Sequence, residues 1–393
     1  MYKGKGLEKL LGPQNLAIYG DMPLQGKIFG RCLSFLQISA FQGNIYPVTE
    51  ECSEINGLKC FRDISSLPVT PDLILIDTES SSIPDIVREA GKKGIPYAII
   101  FSPATETVIR EKISAEAKVS GIRILGPNSQ GLLNISGGVP LTYSMPLPLQ
   151  PEPGSHVALV SQSGSLGFAC FSSAREKGVK FGYLVTTGDQ VDIDDLEIAE
   201  FLLQQEEINL IILYLEDIRD GRELLSFFNR ARESNVTVAV LKAACYETSA
   251  FSSKYQFSGF IDEEQIWEAA LSQHGVIRLR DVDEISNLAS LFSLRQSPLG
   301  PRVGIISSSR GAGIMMADHC RSHQLEIPKL SVDTQQKIKE YLPLHGNCNN
   351  PVNLTSLVME QPDLFRSTLE ILLDEPTLDV VISVVTTSSK ETA

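Results

Sequence analysis

The chain has 393 residues, with 34 lysines and arginines against 48 aspartates and glutamates, a formal net charge of −14. This acidity argues against a nucleic-acid-binding protein, because that class needs a cationic surface to displace the counterions of the phosphates. Apolar residues make up 42% of the chain and charged residues 21%, so sizeable cores can be buried. The length predicts two to three domains.

The seven cysteines are scattered, and no two have the C-x-x-C spacing of a zinc site or a thioredoxin-like motif. We therefore predict no metal site and a reducing compartment. Residues 1–5 are not followed by the apolar segment of a signal peptide, and no run reaches the roughly 18 apolar residues of a membrane span. The expectation is a soluble cytoplasmic protein that contacts neither membrane nor nucleic acid.

Nine short apolar runs, rich in Val and Ile, predict β-strands in chain order. Continuous apolar runs are typical of strands covered on both faces of a parallel sheet. The segments 83–91, 195–205 and 265–273 have helical patterns. This alternation predicts the α/β class with doubly wound sheets. The runs are 16–19, 73–76, 97–101, 157–160, 182–185, 210–215, 236–241, 303–306 and 380–385.

Two stretches rich in Pro and Gly, 137–154 and 296–301, are interpreted as linkers. They predict domains at 1–140, 152–297 and 301–393. The third is short and ends soon after a predicted strand, whereas a parallel sheet normally continues through another crossover helix. We expect a partial, truncated third domain; the alternative is a small domain with a frayed end.

Several loops follow predicted strands, where open α/β sheets bind ligands. The glycines of the 20–30 turn are too widely spaced for G-x-G-x-x-G, so the turn is either a phosphate site or purely structural. The segment 125–134 predicts a fixed loop. At 161–167, a strand enters a helix whose N–H groups could hold an anion; an ordinary N-cap is the alternative. Ser161 stands where a hydrolase elbow needs Gly, so the sequence does not support a hydrolase elbow.

Together these motifs resemble the NDP-forming (ADP-forming) acyl-CoA synthetases, relatives of the succinyl-CoA synthetase α subunit. The closest likeness is to the N-terminal synthetase-like region of Pat-type protein lysine acetyltransferases, because Ser129 and Asp189 stand where synthetases have Cys and Asn. The motifs that carry the resemblance are Gly126-Pro127-Asn128-Ser129, Ser161-Gln162-Ser163-Gly164, Gly188-Asp189, Tyr214-Leu215-Glu216 and Asn350-Pro351-Val352-Asn353-Leu354.

The resemblance implies a Rossmann-like CoA-binding domain followed by flavodoxin-like, succinyl-CoA synthetase-like parallel-sheet domains. It implies CoA or acetyl-CoA as cofactor. The helix start at Ser163, Gly164 and Ser165 matches the family's cradle for a phosphorylated His, and Glu216 matches the carboxylate that steadies that His. The positions that match the family's CoA pocket are Gly20, Asp21, Lys27, Val48, Thr78, Ser102, Asn128 and Ser129.

Two departures bear on activity. Gln256 is nearest the position of the family's phosphorylated His, and an amide nitrogen has no available lone pair with which to attack phosphorus. His274 is the nearest stand-in, but it is predicted at the end of a helix. Glu50 and Glu51 stand where synthetases tend to have Pro and Lys, so CoA binding is expected to be weak. An acid there could instead bind a ribose, as in NAD sites.

Three hypotheses follow. The first is a CoA- or acyl-CoA-binding module without phosphohistidine turnover, the regulatory part of a protein lysine acetyltransferase, working with a GNAT domain or subunit. The second is an α-type subunit of an active NDP-forming acyl-CoA (acetate–CoA) ligase, which would use ATP through an ATP-grasp partner. The third is a structural scaffold whose site loops are relics. The sequence predicts neither the acyl group nor the oligomeric state.

Overall fold

The computed structural model describes residues 6–20, 28–39, 41–144, 155–243, 263–293, 298–342 and 346–386. The chain forms two compact units, Met1–Arg295 and Gln296–Ala393. All nine predicted strands are confirmed, as are the three predicted helices, and the α/β class is confirmed with them. No helix in these ranges is both long and apolar enough to span a bilayer.

The first sheet has five parallel strands in the order β2-β1-β5-β6-β7. Its central strand, β5, is buried along most of its length because apolar side chains alternate onto two covered faces. The elements are α1 (Glu8–Leu11), β1 (Asn15–Gly20), α2 (Ile28–Ile38), β2 (Asn44–Val48), β3 (Glu54–Ile55), β4 (Leu58–Lys59), β5 (Leu73–Asp77), α3 (Ile83–Lys93), β6 (Tyr97–Ile100), α4 (Thr107–Ser120) and β7 (Arg123–Leu125).

The second sheet has seven strands in the order β14-β13-β12-β10-β11-β8-β9, of which β8 and β9 are antiparallel additions. The elements are β8 (Gly131–Asn134), β9 (Val139–Thr142), β10 (Val157–Ser161), α5 (Gly164–Glu176), β11 (Phe181–Thr186), α6 (Asp195–Leu202), β12 (Leu210–Leu215), α7 (Gly221–Glu233), β13 (Thr237–Lys242), α8 (Glu263–His274), β14 (Ile277–Leu279) and α9 (Val282–Phe292).

The strand β9 corrects the prediction of a linker over 137–154 at residues 139–142; residues 145–154 lie outside the described residues. Its four residues are all buried, because Val139 and Leu141 supply the apolar surface that a strand needs. Pro140 does not interrupt it, since β9 lies at the sheet edge, where a missing N–H is tolerated. The second sheet thus takes two strands, β8 and β9, from around the predicted boundary at residue 140.

An ion-pair cluster joins the two sheets within the first unit. Arg123 of β7 binds Glu197 of α6 through two hydrogen bonds of 3.0 and 2.7 Å, and its Nε donates to Asp192 at 2.9 Å. Two parallel N–H···O bonds fix orientation as well as distance. The amino end of β7 is therefore held against α6 and the loop that precedes it.

The second unit contains a three-stranded parallel sheet in the order β16-β15-β17. Its elements are β15 (Val303–Ser307), α10 (Arg310–Ser322), α11 (Val332–Tyr341), β16 (Val352–Asn353), a 3-10 turn (Ser356–Met359), α12 (Pro362–Leu373) and β17 (Val380–Val384).

Candidate functional site

The carboxyl edge of the first sheet brings together the predicted strand-end residues. Strand order reverses between β1 and β5, and such a reversal opens a crevice at the carboxyl ends. Gly20 pairs with Asp77 across this reversal. A Cβ at Gly20 would lie 2.5 Å from the ring of Phe29, so glycine lets α2 pack against the strand end. Asp21 and Lys27 lie outside the described residues.

Thr78 and Ser102 tie two neighbouring strand ends together. The Thr78 N–H donates to the Ser102 hydroxyl at 2.9 Å, and that hydroxyl donates to Asp77 Oδ1 at 3.1 Å. Both residues are buried, and so is Val48 at the end of β2. The predicted residues Gly20, Val48, Thr78 and Ser102 therefore share one edge and build its floor.

Beyond β2, the acidic segment is partly neutralised by the chain itself. Glu50 forms an exposed ion pair with Arg62, 3.4 Å from Nε. The Thr49 hydroxyl accepts from the Glu51 N–H at 3.4 Å. Both acids are exposed at the carboxyl edge, as the sequence indicated.

The Gly-Pro-Asn-Ser loop splits into one exposed and one buried residue. Asn128 is exposed, with a left-handed φ of +59°, and its N–H donates to the Ser102 carbonyl at 3.1 Å. Ser129 is fully buried: its hydroxyl donates to the Thr186 carbonyl at 2.6 Å and accepts from the Gly131 N–H at 2.8 Å. In this arrangement, Asn128 is available to a ligand, whereas the Ser129 hydroxyl is used within the fold.

The Gly-Asp loop lies directly against the Asn128 loop. Asn128 Nδ2 donates to Asp189 Oδ1 at 3.3 Å, and the Asp189 N–H donates to the Pro127 carbonyl at 2.8 Å. Burial raises the pKa of Asp189, while Asn128 and Arg110 oppose the shift. Gly188 has a φ of +61°, and any Cβ there would overlap the Pro127 carbonyl, so only glycine permits this contact. Two loops 61 residues apart thus form one surface.

The carboxyl edge of the second sheet holds the predicted phosphate cradle. The helix α5 begins at Gly164, with Ser163 at the N-cap position, yet Ser163 makes no capping hydrogen bond through its side chain. Instead, Ser161 donates to the Ser163 carbonyl at 2.7 Å and fixes the turn. Ser165 is exposed in the first turn. The first-turn N–H groups face the reversal of strand order between β10 and β12.

Glu216 leaves β12 at this same edge and is exposed. Its N–H donates to Gln162 Oε1 at 2.6 Å, while Gln162 Nε2 donates to the buried carboxylate of Asp195 at 3.2 Å. Burial and the carboxylate of Glu216 raise the pKa of Tyr214 to about 12, so the phenol stays protonated and hydrogen-bonded to Glu216. Gln162 therefore positions the backbone of Glu216, a role that its place between two serines did not predict.

Asp195 is a second site residue that sequence reasoning missed. It is 6% exposed, and burial raises its pKa to about 6, with hydrogen bonds from its own N–H and from Gln162 opposing the shift. A run of acids at the start of a helix is common, so nothing in the sequence singled out this one. Carboxyl groups with raised pKa values concentrate at functional sites.

Neither described histidine of the first unit can reach Glu216. His156 directly precedes β10, and His274 ends α8 just before β14. Because β10, β12 and β14 are parallel, both histidines lie at the amino edge, opposite Glu216. His274 Nδ1 is also 2.8 Å from the Ala270 carbonyl. Gln256, at the expected position of the phosphorylated His, lies outside the described residues.

The second unit repeats the strand–loop–helix geometry of the cradle. In each unit a five-residue strand, β10 or β15, is joined by a two-residue loop to a 13-residue helix, α5 or α10. Ser307 donates to the Ser309 carbonyl at 2.8 Å, as Ser161 does to Ser163. The difference is the cap: the Ser309 hydroxyl accepts from the Ala312 N–H at 3.5 Å. No ligand follows from this resemblance alone.

Three family models match the chain in succession and together cover most of it. A CoA binding domain matches residues 14–134, a succinyl-CoA ligase-like flavodoxin domain matches 153–292, and a Ligase-CoA domain matches 303–387.

Curated relatives carry the same arrangement. Acetate–CoA ligase [ADP-forming] I of Archaeoglobus fulgidus is 26% identical over 390 residues, covering 98% of this chain and 55% of the relative. Acetate–CoA ligase [ADP-forming] II subunit alpha of Pyrococcus furiosus is 26% identical over 385 residues, covering 96% of this chain and 82% of the relative. The chain spans about half the length of the first of these relatives.

A solved structure shares the fold. The apo form of dinucleotide-forming acetyl-coenzyme A synthetase 1 from Ca. Korarchaeum cryptofilum has a TM-score of 0.87 at 24% identity, covering 97% of this chain and 83% of that one. The fold is thus a Rossmann-like CoA-binding domain followed by a succinyl-CoA ligase-like flavodoxin domain. The chain belongs to the NDP-forming acyl-CoA synthetase α-subunit-like family. These findings support the ligase hypothesis better than the acetyltransferase-linked one.

Proposed function

We propose that this chain is an α-type module of an NDP-forming acyl-CoA ligase and binds CoA or acyl-CoA at the carboxyl edge of its first sheet. The observation that carries the proposal is the exposed Asn128, which is fixed between the Ser102 carbonyl and the Asp189 carboxylate at the same carboxyl edge as the crevice of β1 and β5. The match of a CoA binding domain to residues 14–134 supports it. An ATP-grasp partner would supply the nucleotide site.

In this proposal, the crevice between β1 and β5 holds the nucleotide part of CoA, and the Asn128 loop lies near the thiol. A net charge of −14 opposes a polyanionic ligand, so backbone N–H groups and Lys27 would have to offset the field of the whole chain. Affinity should therefore rise with salt at low ionic strength, because screening weakens the repulsion between ligand and chain.

The second edge would handle a phosphoryl group. The first-turn N–H groups of α5 would hold the anion, and Glu216, whose backbone is positioned by Gln162, would orient the group that carries the phosphate. The family's carrier is a histidine nitrogen, and the Gln256 amide offers no such nucleophile. This specific observation favours a second candidate: a CoA-binding module without phosphoenzyme turnover, as in the synthetase-like region of Pat-type acetyltransferases, with a GNAT partner.

Thermal unfolding in the presence of CoA tests the binding proposal. A ligand that binds only the folded state raises the melting temperature with concentration, by the equivalent of about 2.7 kcal/mol at a hundredfold excess over Kd. We expect CoA and acetyl-CoA at millimolar concentration to raise it. Asn128→Asp should weaken binding about tenfold, because a second carboxylate would face Asp189 and the ligand. No shift with either ligand would contradict the proposal.

Asn235→Asp is the matched control. Asn235 is also exposed with a left-handed φ, +61°, but it precedes β13 at the opposite edge of the second sheet. The same change of side chain there should leave CoA binding unaltered. Equal loss in both variants would mean that added charge, and not the Asn128 loop, sets the affinity.

Labelling with γ-phosphate-labelled ATP separates the two candidates. The chain is incubated with the ATP-grasp subunit of a related ligase, and acid-labile label on this chain is measured. Label that falls at least tenfold in Glu216→Gln would support an active ligase. A CoA-dependent shift in melting temperature without any label would support the module without phosphoenzyme turnover.

A further inference from the structure

A two-cysteine site lies in the segment that leaves β2 and returns beside it. The segment is closed by backbone hydrogen bonds at its base: the Thr49 N–H donates to the Phe61 carbonyl at 2.8 Å, and the Phe61 N–H donates to the Pro47 carbonyl at 2.9 Å. Its tip is the hairpin of β3 and β4, turned by Asn56 and Gly57 with φ values of 48° and 79°. Positive φ at both positions is the hairpin turn that Asn-Gly favours.

Cys52 and Cys60 flank this hairpin, and their Sγ atoms are 3.7 Å apart. The Cys60 N–H donates to the Ser53 carbonyl at 2.9 Å, which continues the pairing of the two strands by one residue, to Ser53 and Cys60; Cys52 directly precedes Ser53. A disulfide requires about 2.05 Å between the sulfur atoms. The two sulfur atoms would have to move closer together to form a disulfide, and the hairpin already holds both side chains on neighbouring parts of the chain.

The two thiols differ in access. Cys60 is 8% exposed, whereas Cys52 is half-buried. The other cysteines in the described ranges, Cys32, Cys170, Cys320 and Cys348, are all buried. Burial, reinforced by Cys52, raises the pKa of Cys60 to about 12. A soluble oxidant therefore reacts first with Cys52, and Cys60 lies close enough to attack the oxidised Cys52.

We propose that Cys52 and Cys60 form a reversible disulfide through exchange with a low-molecular-weight disulfide. The Cys52 thiolate attacks one sulfur of the reagent, a mixed disulfide forms, and one reagent thiolate leaves. Cys60 then loses its proton to solvent and attacks Cys52 Sγ, and the second reagent thiolate leaves. The protein dithiol is oxidised by two electrons, and the reagent disulfide is reduced to two thiols.

The bond would fasten the 49–61 segment across its own hairpin, immediately after the end of β2. Cys52 and Cys60 are not among the residues of the proposed CoA site, so this modification site stands whether or not CoA binds. Disulfides in a reducing compartment are characteristically transient and redox-sensing, which fits a pair held close but unbonded. The sequence spacing gave no sign of it, because the C-x-x-C criterion does not cover cysteines eight residues apart.

Mass mapping after equilibration with glutathione disulfide tests the proposal. The folded chain is incubated with increasing ratios of oxidised to reduced glutathione, quenched with acid, alkylated and digested. We expect the peptides containing Cys52 and Cys60 to become linked and the buried cysteines Cys32, Cys170, Cys320 and Cys348 to stay alkylatable after unfolding. Wild-type chain in which Cys52 carries a lasting glutathione adduct, or in which both thiols stay free, would overturn the proposal.

Single variants test the order of the steps. In Cys60→Ser, the adduct on Cys52 should accumulate and persist, because the resolving thiol is gone. In Cys52→Ser, adduct formation at Cys60 should be at least tenfold slower than at Cys52 in Cys60→Ser. Equal rates at the two positions would contradict the assignment of Cys52 as the reacting thiol. Retained far-ultraviolet circular dichroism verifies that each variant is folded.

Discussion

Two buried carboxyl groups, one in each compact unit, have pKa values shifted in opposite directions. Asp195 follows β11 at the carboxyl edge of the second sheet, and burial raises its pKa to about 6. Glu375 precedes β17 at the amino edge of the third sheet, and its pKa is lowered to about 2. Both side chains are almost fully buried, with 6% and 2% exposure, so burial alone does not set the direction.

The difference lies in the number of donors that face each carboxylate. Burial opposes the ionisation of Glu375, but hydrogen bonds outweigh it: the N–H and hydroxyl of Ser331 and of Thr377 donate to its two oxygens at 2.8–3.2 Å. Asp195 has the long 3.2 Å bond from Gln162 and few other donors. The carboxylate at the amino edge of the third sheet is satisfied, whereas the one at the edge proposed to bind a phosphoryl group has fewer donors.

The largest expected effect is at Glu375. Glu375→Ala should destabilise the unit Gln296–Ala393 by about 3 kcal/mol, because four partly buried donor groups of Ser331 and Thr377 lose their acceptor. Since its folded pKa lies below the unfolded value of 4.5, the wild-type contribution should be present above that pH and lost as pH falls toward 2. Denaturant-dependent amide exchange in β15 and α11 measures this unit separately.

The control for that variant is Glu370→Ala. Glu370 lies on α12 and pairs with Arg366 at 3.2 Å, but both side chains are mostly exposed. Exposed pairs contribute roughly 0–1 kcal/mol, so this variant should unfold almost as the wild type does. A comparable loss at both positions would refute the contrast between satisfied and exposed carboxylates.

The second effect is at Asp195, with the opposite sign. An unfolded Asp ionises near pH 3.9, roughly two units below the folded value, so the stability of the unit Met1–Arg295 should fall as pH rises from about 4 through about 6. Asp195→Asn should remove this dependence and stabilise the unit by about 2 kcal/mol at pH 8. Asp217→Asn, exposed on the same edge, should do neither. If the pH dependence of stability is the same in Asp195→Asn as in the wild type, the contrast between Asp195 and Glu375 is wrong.

The smallest expected effects concern the helices that follow the two similar loops, one after β10 with Ser161 and one after β15 with Ser307. A Cβ at Gly167 would lie 2.8 Å from Ser161 Cβ, whereas one at Gly313 would lie 3.3 Å from Ser307 Cβ. Replacing a glycine inside a helix by alanine stabilises the helix by about 1 kcal/mol through helix propensity. A close contact of the new Cβ opposes this gain. Gly167→Ala should therefore cost about 1 kcal/mol, and Gly313→Ala should change stability by under about 0.5 kcal/mol. Chemical denaturation with amide exchange in α5 and α10 measures both; the reverse ranking would show that the loops pack differently.

The sequence predicted the positions of the strands but not which strands pair. Runs such as 210–215 are apolar at every position, which a strand buried on both faces requires, so the signal is local. The segment 137–144 is misassigned because it was grouped with the proline-rich residues 145–154 that follow it, and its burial depends on pairing with β8. The absence of a histidine at Gln256 is likewise a fact of the sequence and needs no structure.

What the sequence alone determined is the α/β class, the order of its strands and loops, and the family whose motifs those loops carry. Only the tertiary structure decided that Asn128 meets Asp189, that Gln162 positions Glu216, that Ser129 is buried, and that Cys52 and Cys60 are adjacent. Each of these features depends on residues from different loops, or on residues across a turn, coming together. Their chemistry depends on distance, burial and the number of donors, quantities that exist only after the chain has folded.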